Sequence, residues 1–139
     1  MLELVIFTGL PGSGKSTYYR EHYAATHVHV SKDLMPNVRA RDERQWREIE
    51  TALAAGRSVV VDNTNPSRDT RAPLIALGRR CGAKITGIFF DVEARVCIMR
   101  NRGREGRARV PDVAIFTTKK KLQPPALDEG FDELRVITA

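Results

Sequence analysis

The chain has 139 residues, of which 42% are hydrophobic and 29% are charged, and its formal net charge is +6. These values are ordinary for a globular protein with one core, and no apolar run approaches the roughly 20 residues of a membrane span, so no membrane partner is expected. The two cysteines, Cys81 and Cys97, form no C-x-x-C pair. The sequence therefore indicates neither a zinc site nor a disulfide framework, and a reducing, cytoplasmic location is expected.

The first predicted strand, Leu2 to Thr8, is apolar and runs into the pattern G-x-x-x-x-G-K-S, which spans Gly9 to Ser16. A helix is predicted from about Lys15 to Ala25. In this strand–loop–helix context the pattern is typical of a loop whose amides hold phosphate groups, with the lysine on the β- and γ-phosphates and the serine on Mg²⁺. A plain glycine-rich turn is the alternative. The candidate residues for binding ATP are Gly12, Ser13, Gly14, Lys15, Ser16 and Thr17.

The next two predicted strands are each followed by a carboxylate. Val28 to Ser31 precedes Asp33, and Ser58 to Val61 precedes Asp62, with a helix from about Arg41 to Ala55 between the strands. Asp33 is a candidate general base for an acceptor hydroxyl, or it caps the next turn or pairs with an arginine. Asp62 is a candidate metal residue that acts on Mg²⁺ directly or through water, or it caps the turn that follows.

The second half of the chain continues this alternation. Asn65 is a plausible helix cap and Pro66 a first-turn residue. The helix reaches about Cys81, and Pro73 predicts either a kink or a start near Thr70. The remaining predicted elements are a strand over 84–91, a helix over 93–101, a short helix over 112–118 and a last strand over 133–138.

Strands and helices alternate along the whole chain, which predicts a parallel sheet with helices on both faces. The expected class is α/β, a three-layer sandwich of the P-loop NTPase type, with about five strands in the order 2-3-1-4-5 and a single domain over 1–139. Ligands bind such sheets at the carboxyl ends of the strands. The phosphate loop, Asp33 and Asp62 all fall at that edge.

The segment from about 100 to 111 is predicted to form a basic lid. Five arginines and one acid lie between residues 100 and 109. Arg104 or Arg107 is a candidate to neutralise charge on the transferring phosphate, and lids of this kind close over nucleotides. The cluster is also the electrostatic footprint of a polyanion such as nucleic acid, although a solvated basic loop is the alternative.

Nearly the whole chain resembles the kinase domain of the polynucleotide 5′-hydroxyl kinases, a family that includes a phage enzyme and the kinase half of eukaryotic polynucleotide kinase/phosphatase. Many families share the phosphate loop. Two other stretches are more specific: Asp62-Asn63-Thr64-Asn65-Pro66 and the tail from Pro125 to Phe131. The resemblance also covers residues 28–33 and 100–111.

This resemblance implies transfer of the γ-phosphate of ATP, with Mg²⁺, to the 5′-hydroxyl end of DNA or RNA. It implies that Asp33 is the general base, that Arg104 contacts the transferring phosphate and that Arg100 lies near the nucleotide. The catalytic candidates are then Lys15, Asp33, Arg104 and Arg107. The acceptor-binding candidates are Lys32, Arg39, Asn63, Thr64, Val110 and Val113.

The chain departs from the family pattern at the acceptor side. Lys32 stands where the family has an arginine before its catalytic aspartate. The acceptor-phosphate arginine of the phage enzyme falls on Pro36, so Arg39 or Arg41 would have to replace it.

The lid arginine and the class of function remain open in the sequence, whereas phosphatase activity is not expected. The lid is one residue longer than the phage pattern, so the choice between Arg104 and Arg107 stays open. The phosphatase pattern D-x-D-x-T is absent, so no 3′-phosphatase activity is expected. The alternatives to a polynucleotide kinase are a P-loop kinase for a small hydroxylated metabolite and a nucleotide-binding module without phosphate transfer.

Overall fold

The computed structural model of the protein describes residues 1–35, 39–106 and 109–138. Its strands are β1 (Glu3–Gly9), β2 (Val28–Val30), β3 (Val59–Val61), β4 (Lys84–Asp91) and β5 (Glu133–Thr138). Its α-helices are α1 (Lys15–His22), α2 (Arg41–Ala54), α3 (Arg68–Arg80), α4 (Ala94–Arg102) and α5 (Asp112–Lys121). Short 3₁₀ turns lie at Lys32–Leu34 and Leu127–Glu129.

The five strands form one sheet of order β2-β3-β1-β4-β5, in which all neighbouring strands are parallel. The predicted fold class and strand order are therefore confirmed. β1 lies at the centre, and residues 4–7 are at most 1% exposed. A strand covered on both faces is expected to be mainly apolar, and residues 4–7 of β1 are all apolar.

Helices cover both faces of the sheet and make the three layers. On one face α2 and α3 pack against alternate residues of the strands, in a core that includes Leu4, Ile49 and Leu77. On the other face α1 packs through Tyr19 and Tyr23 against Val5 and neighbouring strand residues.

A third, smaller core holds α4 and α5 beside the loop that follows β1. It consists of Leu10, Val92, Cys97 and Ile115. Because Leu10 belongs to that loop, the packing of α4 and α5 also fixes the shape of the loop.

The predicted start of α3 is wrong. Ser67 is the N-cap, and its hydroxyl accepts a hydrogen bond from the amide of Thr70 at 3.2 Å. Asn65 has a φ of 39° and its side chain donates to the carbonyl oxygen of Phe7 at 2.8 Å, so it is not a helix cap. The helix starts at Arg68, two residues before the alternative start near Thr70, and continues past Pro73.

Two other helix ends differ from the prediction by three residues. α1 ends at His22, short of Ala25, and α5 extends to Lys121, beyond Thr118. The last turn of α5 holds three lysines, whose charges favour the C-terminal end of a helix. Within the described ranges no helix has the length and apolar character needed to cross a bilayer.

Candidate active site

The loop between β1 and α1 has the shape of a phosphate cradle. Gly12 and Gly14 adopt φ values of 83° and 97°, which side-chain-bearing residues rarely adopt. α1 begins directly after Gly14, so its unpaired N-terminal amides are available to an anion. The Ser13 hydroxyl is buried and has no hydrogen-bond partner among the described residues. These residues fit the phosphates of a nucleotide.

Lys15 is buried against the backbone of this loop. Its ammonium group donates hydrogen bonds to the carbonyl oxygens of Leu10 at 2.8 Å and Gly9 at 3.1 Å. Burial lowers the pKa of Lys15 to about 8, although the negative charge of Asp62 opposes this change and the charge of Arg104 adds to it. The lysine is therefore charged at neutral pH, with a smaller margin than an exposed lysine has.

Ser16 and Asp62 meet across the sheet edge. The Ser16 hydroxyl donates to Asp62 Oδ2 at 2.8 Å, and His29 Nε2 lies 2.8 Å from the same oxygen. The carboxylate thus binds side chains from α1 and β2 rather than capping the turn that follows it. A serine hydroxyl and one carboxylate are the oxygen donors with which phosphate-loop proteins hold Mg²⁺, which keeps several waters and phosphate ligands. The pair fits the predicted metal site.

Two cavities adjoin the phosphate loop. The Asp33 cavity has a volume of about 430 Å³ and the Tyr18 cavity about 480 Å³. The predicted residues that line the Asp33 cavity are Gly12, Lys15, Ser16, Lys32, Asp33, Asp62, Asn63, Thr64, Arg104 and Val110. Those that line the Tyr18 cavity are Gly12, Ser13, Gly14, Thr17, Arg100 and Arg104. Gly12 and Arg104 therefore stand between the two cavities.

Asp33 lies in the 3₁₀ turn that follows β2, and it is exposed in the cavity named after it. The Ser31 hydroxyl caps this turn by accepting from the amide of Asp33 at 3.3 Å. Across residues 1–35, 39–106 and 109–138, no hydrogen bond or ion pair engages the Asp33 carboxylate. Within the part of the chain that the structure describes, the carboxylate therefore acts neither as a cap nor as an arginine partner, and it is accessible to a molecule that enters the cavity.

Only some of the candidates for binding the acceptor lie close to the Asp33 carboxylate. Asn63 Oδ1 accepts from the amide of Lys32 at 2.9 Å, which joins the two strand ends. Arg41 lines the Asp33 cavity and its guanidinium donates to the carbonyl oxygen of Lys32 at 3.5 Å. Arg41 lines the cavity and Arg39 does not, and the role of either as a replacement for the family arginine stays a prediction. Pro36 lies outside the described residues.

The predicted lid begins on α4, which reaches Arg102. Asn101 is fully buried, and its side-chain amide pairs with both the amide and the carbonyl oxygen of Val110, which closes the base of the loop. Arg107 lies outside the described residues, so its assignment stays a prediction. Val113 is 67% exposed and does not line the Asp33 cavity.

Sequence reasoning missed a buried arginine behind the site. Arg71 is fully buried and donates to both carboxylate oxygens of Glu129, at 2.9 and 3.0 Å. It also donates to the carbonyl oxygens of Asn65 and Gln123, both at 2.9 Å. Burial alone would raise the pKa of Glu129, but the hydrogen bonds from Arg71 and from the Ala126 amide hold it below its ordinary value.

Through Arg71, the stretch from Pro125 to Phe131 that carries Glu129 therefore supports the loop after β3. Further hydrogen bonds join this loop to the end of β1. The amide of Gly9 donates to the carbonyl oxygen of Thr64 at 3.1 Å, and the Thr8 hydroxyl donates to that of Asn65, also at 3.1 Å. Glu129 lies in the stretch from Pro125 to Phe131 that resembles the kinase family, and this resemblance was the available sign of its importance. No local pattern in the sequence connects Glu129 with Arg71. His29 and Asn101 were missed for the same reason.

A family model described as an AAA domain matches residues 4–125. The chain belongs to this family. Its phosphate loop and its strand order are those of the P-loop NTPase-type fold that the sequence predicts.

Two curated relatives cover almost the whole chain. "Transcription factor bHLH140" of Arabidopsis thaliana is 29% identical over 94% of the chain, and the "Putative bifunctional polynucleotide phosphatase/kinase" of Acanthamoeba polyphaga mimivirus is 27% identical over 98%. The chain spans only 15% and 33% of the lengths of these two relatives.

Solved structures show the same fold. Chaetomium thermophilum Kti12 in complex with ADP-AlF3 superposes with a TM-score of 0.80 at 16% identity, over 97% of this chain and 88% of that one. A sugar kinase from a Janibacter species gives a TM-score of 0.71 at 19% identity, over 99% and 86% of the two chains. At these identities the likeness concerns the fold alone.

Proposed function

We propose that this protein is a kinase that transfers the γ-phosphate of ATP to the 5′-hydroxyl end of DNA or RNA. The observation that carries the proposal is the Asp33 cavity, which unites an accessible carboxylate with the buried Lys15 of the phosphate loop. Arg41 and Arg104 line the same cavity. The cavity therefore holds both a proton acceptor and the positive charge that a transferring phosphate needs.

Each group has a role in this reaction. Asp33 accepts the proton of the attacking hydroxyl and orients its oxygen. Lys15 and Arg104 offset negative charge on the transferring phosphate. Ser16 and Asp62 would hold Mg²⁺, which neutralises charge on the phosphate oxygens. Thr17 and Arg100 contact the rest of the nucleotide from the Tyr18 cavity.

The acceptor is proposed to be a polyanion because cations line its side of the site. Lys32 and Arg41 border Asp33, and Arg109 lies with Val110 at the outer end of the lid. Lys32 is also paired with Asp42, but Arg41 and Arg109 add positive charge that a neutral metabolite would not use. The mimivirus relative supports the same choice, since its name records a polynucleotide kinase and its similarity covers 98% of this chain.

A transfer assay from γ-labelled ATP tests the proposal. Oligonucleotides of DNA and RNA with a 5′-hydroxyl are compared with the same oligonucleotides bearing a 5′-phosphate, and with a panel of sugars and polyols. We expect label only on the 5′-hydroxyl ends, with a KM that rises steeply with salt concentration because phosphate contacts release counterions.

Label on a sugar or polyol, with none on either oligonucleotide, would replace the proposal by a kinase for a small metabolite. Nucleotide binding without transfer to any of these acceptors would indicate a binding module.

A further inference from the structure

The Asp62 carboxylate is held from two sides by side chains that are far apart in the sequence. Ser16 and His29 both bind its Oδ2 atom, each at 2.8 Å. The side chain of Asp62 is 3% exposed and that of His29 is 20% exposed. A carboxylate so enclosed keeps the orientation that its partners impose.

His29 is itself fixed from three directions. Its backbone lies in β2 opposite Val60 in the parallel ladder, and the amide of Asp62 donates to the carbonyl oxygen of the neighbouring Val30 at 2.8 Å. The imidazole ring stacks on the ring of Tyr19 with centroids 3.9 Å apart and an angle of 13°. The Tyr19 hydroxyl in turn donates to the carbonyl oxygen of His27 at 2.6 Å.

The chemistry of the contact between His29 and Asp62 determines which of the two residues donates the hydrogen bond. An ionised carboxylate can only accept hydrogen bonds, so His29 Nε2 carries the hydrogen in this pair. Both hydrogen bonds of the carboxylate within the described ranges fall on Oδ2, which leaves Oδ1 available. The Ser16 hydroxyl gives its hydrogen to Asp62, so its lone pairs remain available to a cation.

We propose that His29 is a positioning residue for the metal site, which acts by fixing the Asp62 carboxylate and thereby sets the affinity for the complex of Mg²⁺ with the nucleotide. Partners that orient a metal-binding carboxylate typically contribute 10- to 100-fold to metal affinity or activity. This role requires only nucleotide and metal, so it stands or falls independently of the acceptor.

The experiment measures binding of a fluorescent ATP analogue, first in EDTA and then as Mg²⁺ is added. His29→Phe keeps a ring that can stack on Tyr19 but has no N–H group, whereas His29→Gln retains a donor near the position of Nε2. We expect H29F to bind the analogue in EDTA within about twofold of the unmodified protein. We expect it to need about tenfold more Mg²⁺ for half of the metal-induced gain in affinity, and H29Q to restore most of that loss.

A double-mutant cycle with Asp62→Asn tests that the effect passes through the carboxylate. We expect H29F to have no further effect on the Mg²⁺ requirement in the D62N background. Thermal unfolding of each variant checks that the fold is retained. Each of three results would overturn the proposal. H29F could show an unchanged Mg²⁺ requirement, it could lose the same affinity in EDTA and in Mg²⁺, or the losses of the two single variants could add in the double variant.

Discussion

Lys15 donates a hydrogen bond of 2.8 Å to the carbonyl oxygen of Leu10, so the lysine that is predicted to bind phosphate lies against the backbone of its own loop. Its amine is buried, and this burial lowers its pKa to about 8. A phosphate group that enters the loop competes with these carbonyl oxygens for the ammonium hydrogens. Nucleotide binding should therefore depend on the protonation of this one side chain.

We predict that affinity for ADP measured in EDTA falls as the pH rises above about 8. Above the pKa that Lys15 has in the free protein, Lys15 has to take up a proton when ADP binds, because the phosphates favour the charged lysine. The dissociation constant should then rise by about tenfold per pH unit until the pH reaches the higher pKa that Lys15 has in the complex with ADP. Calorimetric titration between pH 7.5 and 10, where the phosphates of ADP are fully ionised, measures this.

Lys15→Met is the matched control, since it keeps an unbranched side chain without a titrating group. It should bind ADP more weakly and without a pH dependence in this range. An unmodified protein with a flat profile to pH 10 would contradict the pKa shift as the cause.

Asp33→Asn should lower kcat for transfer to a 5′-hydroxyl by about 10²- to 10⁴-fold, the usual contribution of general base catalysis. Because the Asp33 carboxylate has no partner within the described ranges, the amide should leave the fold and the nucleotide affinity unchanged. Asp69→Asn, at an exposed aspartate in the first turn of α3, is the control and should keep the full rate. Wild-type turnover by D33N would remove Asp33 from the reaction.

Gly12→Ala should abolish nucleotide binding and destabilise the fold. A Cβ at this position would lie 2.6 Å from the carbonyl oxygen of Cys97, and the φ of 83° is unfavourable for alanine. Gly82→Ala has a similar φ of 74° but meets nothing within 4 Å, so it should cost only about 1 kcal/mol. Comparing the two by chemical denaturation and ADP binding separates the close contact from the backbone conformation.

Arg71→Met should lower the free energy of unfolding by about 3–5 kcal/mol, because the buried Glu129 carboxylate loses both hydrogen bonds from its buried charged partner. The control is Arg44→Met, since Arg44 forms an exposed pair with Glu48 at 3.0 Å and such pairs contribute about 1 kcal/mol or less. Urea denaturation measures both. Equal losses in the two variants would show that the buried pair contributes no more than a surface pair.

The same ion pair predicts a dependence of stability on acid. The pKa of Glu129 in the folded protein lies below its ordinary value of 4.5, so the stabilisation is fully present above that pH. It is lost as the pH falls through the lower, folded-state pKa. In Glu129→Gln this part of the acid dependence should disappear, which denaturation curves between pH 2.5 and 6 can measure.

Local patterns in the sequence were sufficient for most of the architecture. The apolar strand before Gly9 and the G-x-x-x-x-G-K-S spacing lie within one contiguous stretch, and the alternation of strands and helices left few possible topologies. The start of α3 was misplaced because two overlapping cap patterns, Asn65-Pro66 and Ser67-x-x-Thr70, occur side by side. Only the tertiary contact of Asn65 with Phe7 decides between them.

The partners within the site could not be read from spacing. His29 and Asp62 are 33 residues apart, and Arg71 and Glu129 are 58 apart. Such pairs form because parallel strands and packed helices bring distant residues to one edge of the sheet. That Arg41 lines the Asp33 cavity and Arg39 does not likewise depends on the direction in which α2 begins, which composition does not specify.

The hydrogen bonds that join Gly9 to Thr64 and Asn65 to Phe7 have a mechanical consequence. They connect the end of β1 with the loop after β3, and Arg71 braces that loop from behind. One wall of the Asp33 cavity is thus a rigid part of the sheet. We therefore expect a rearrangement that admits a substrate to involve the opposite wall, which includes Arg104 and Val110.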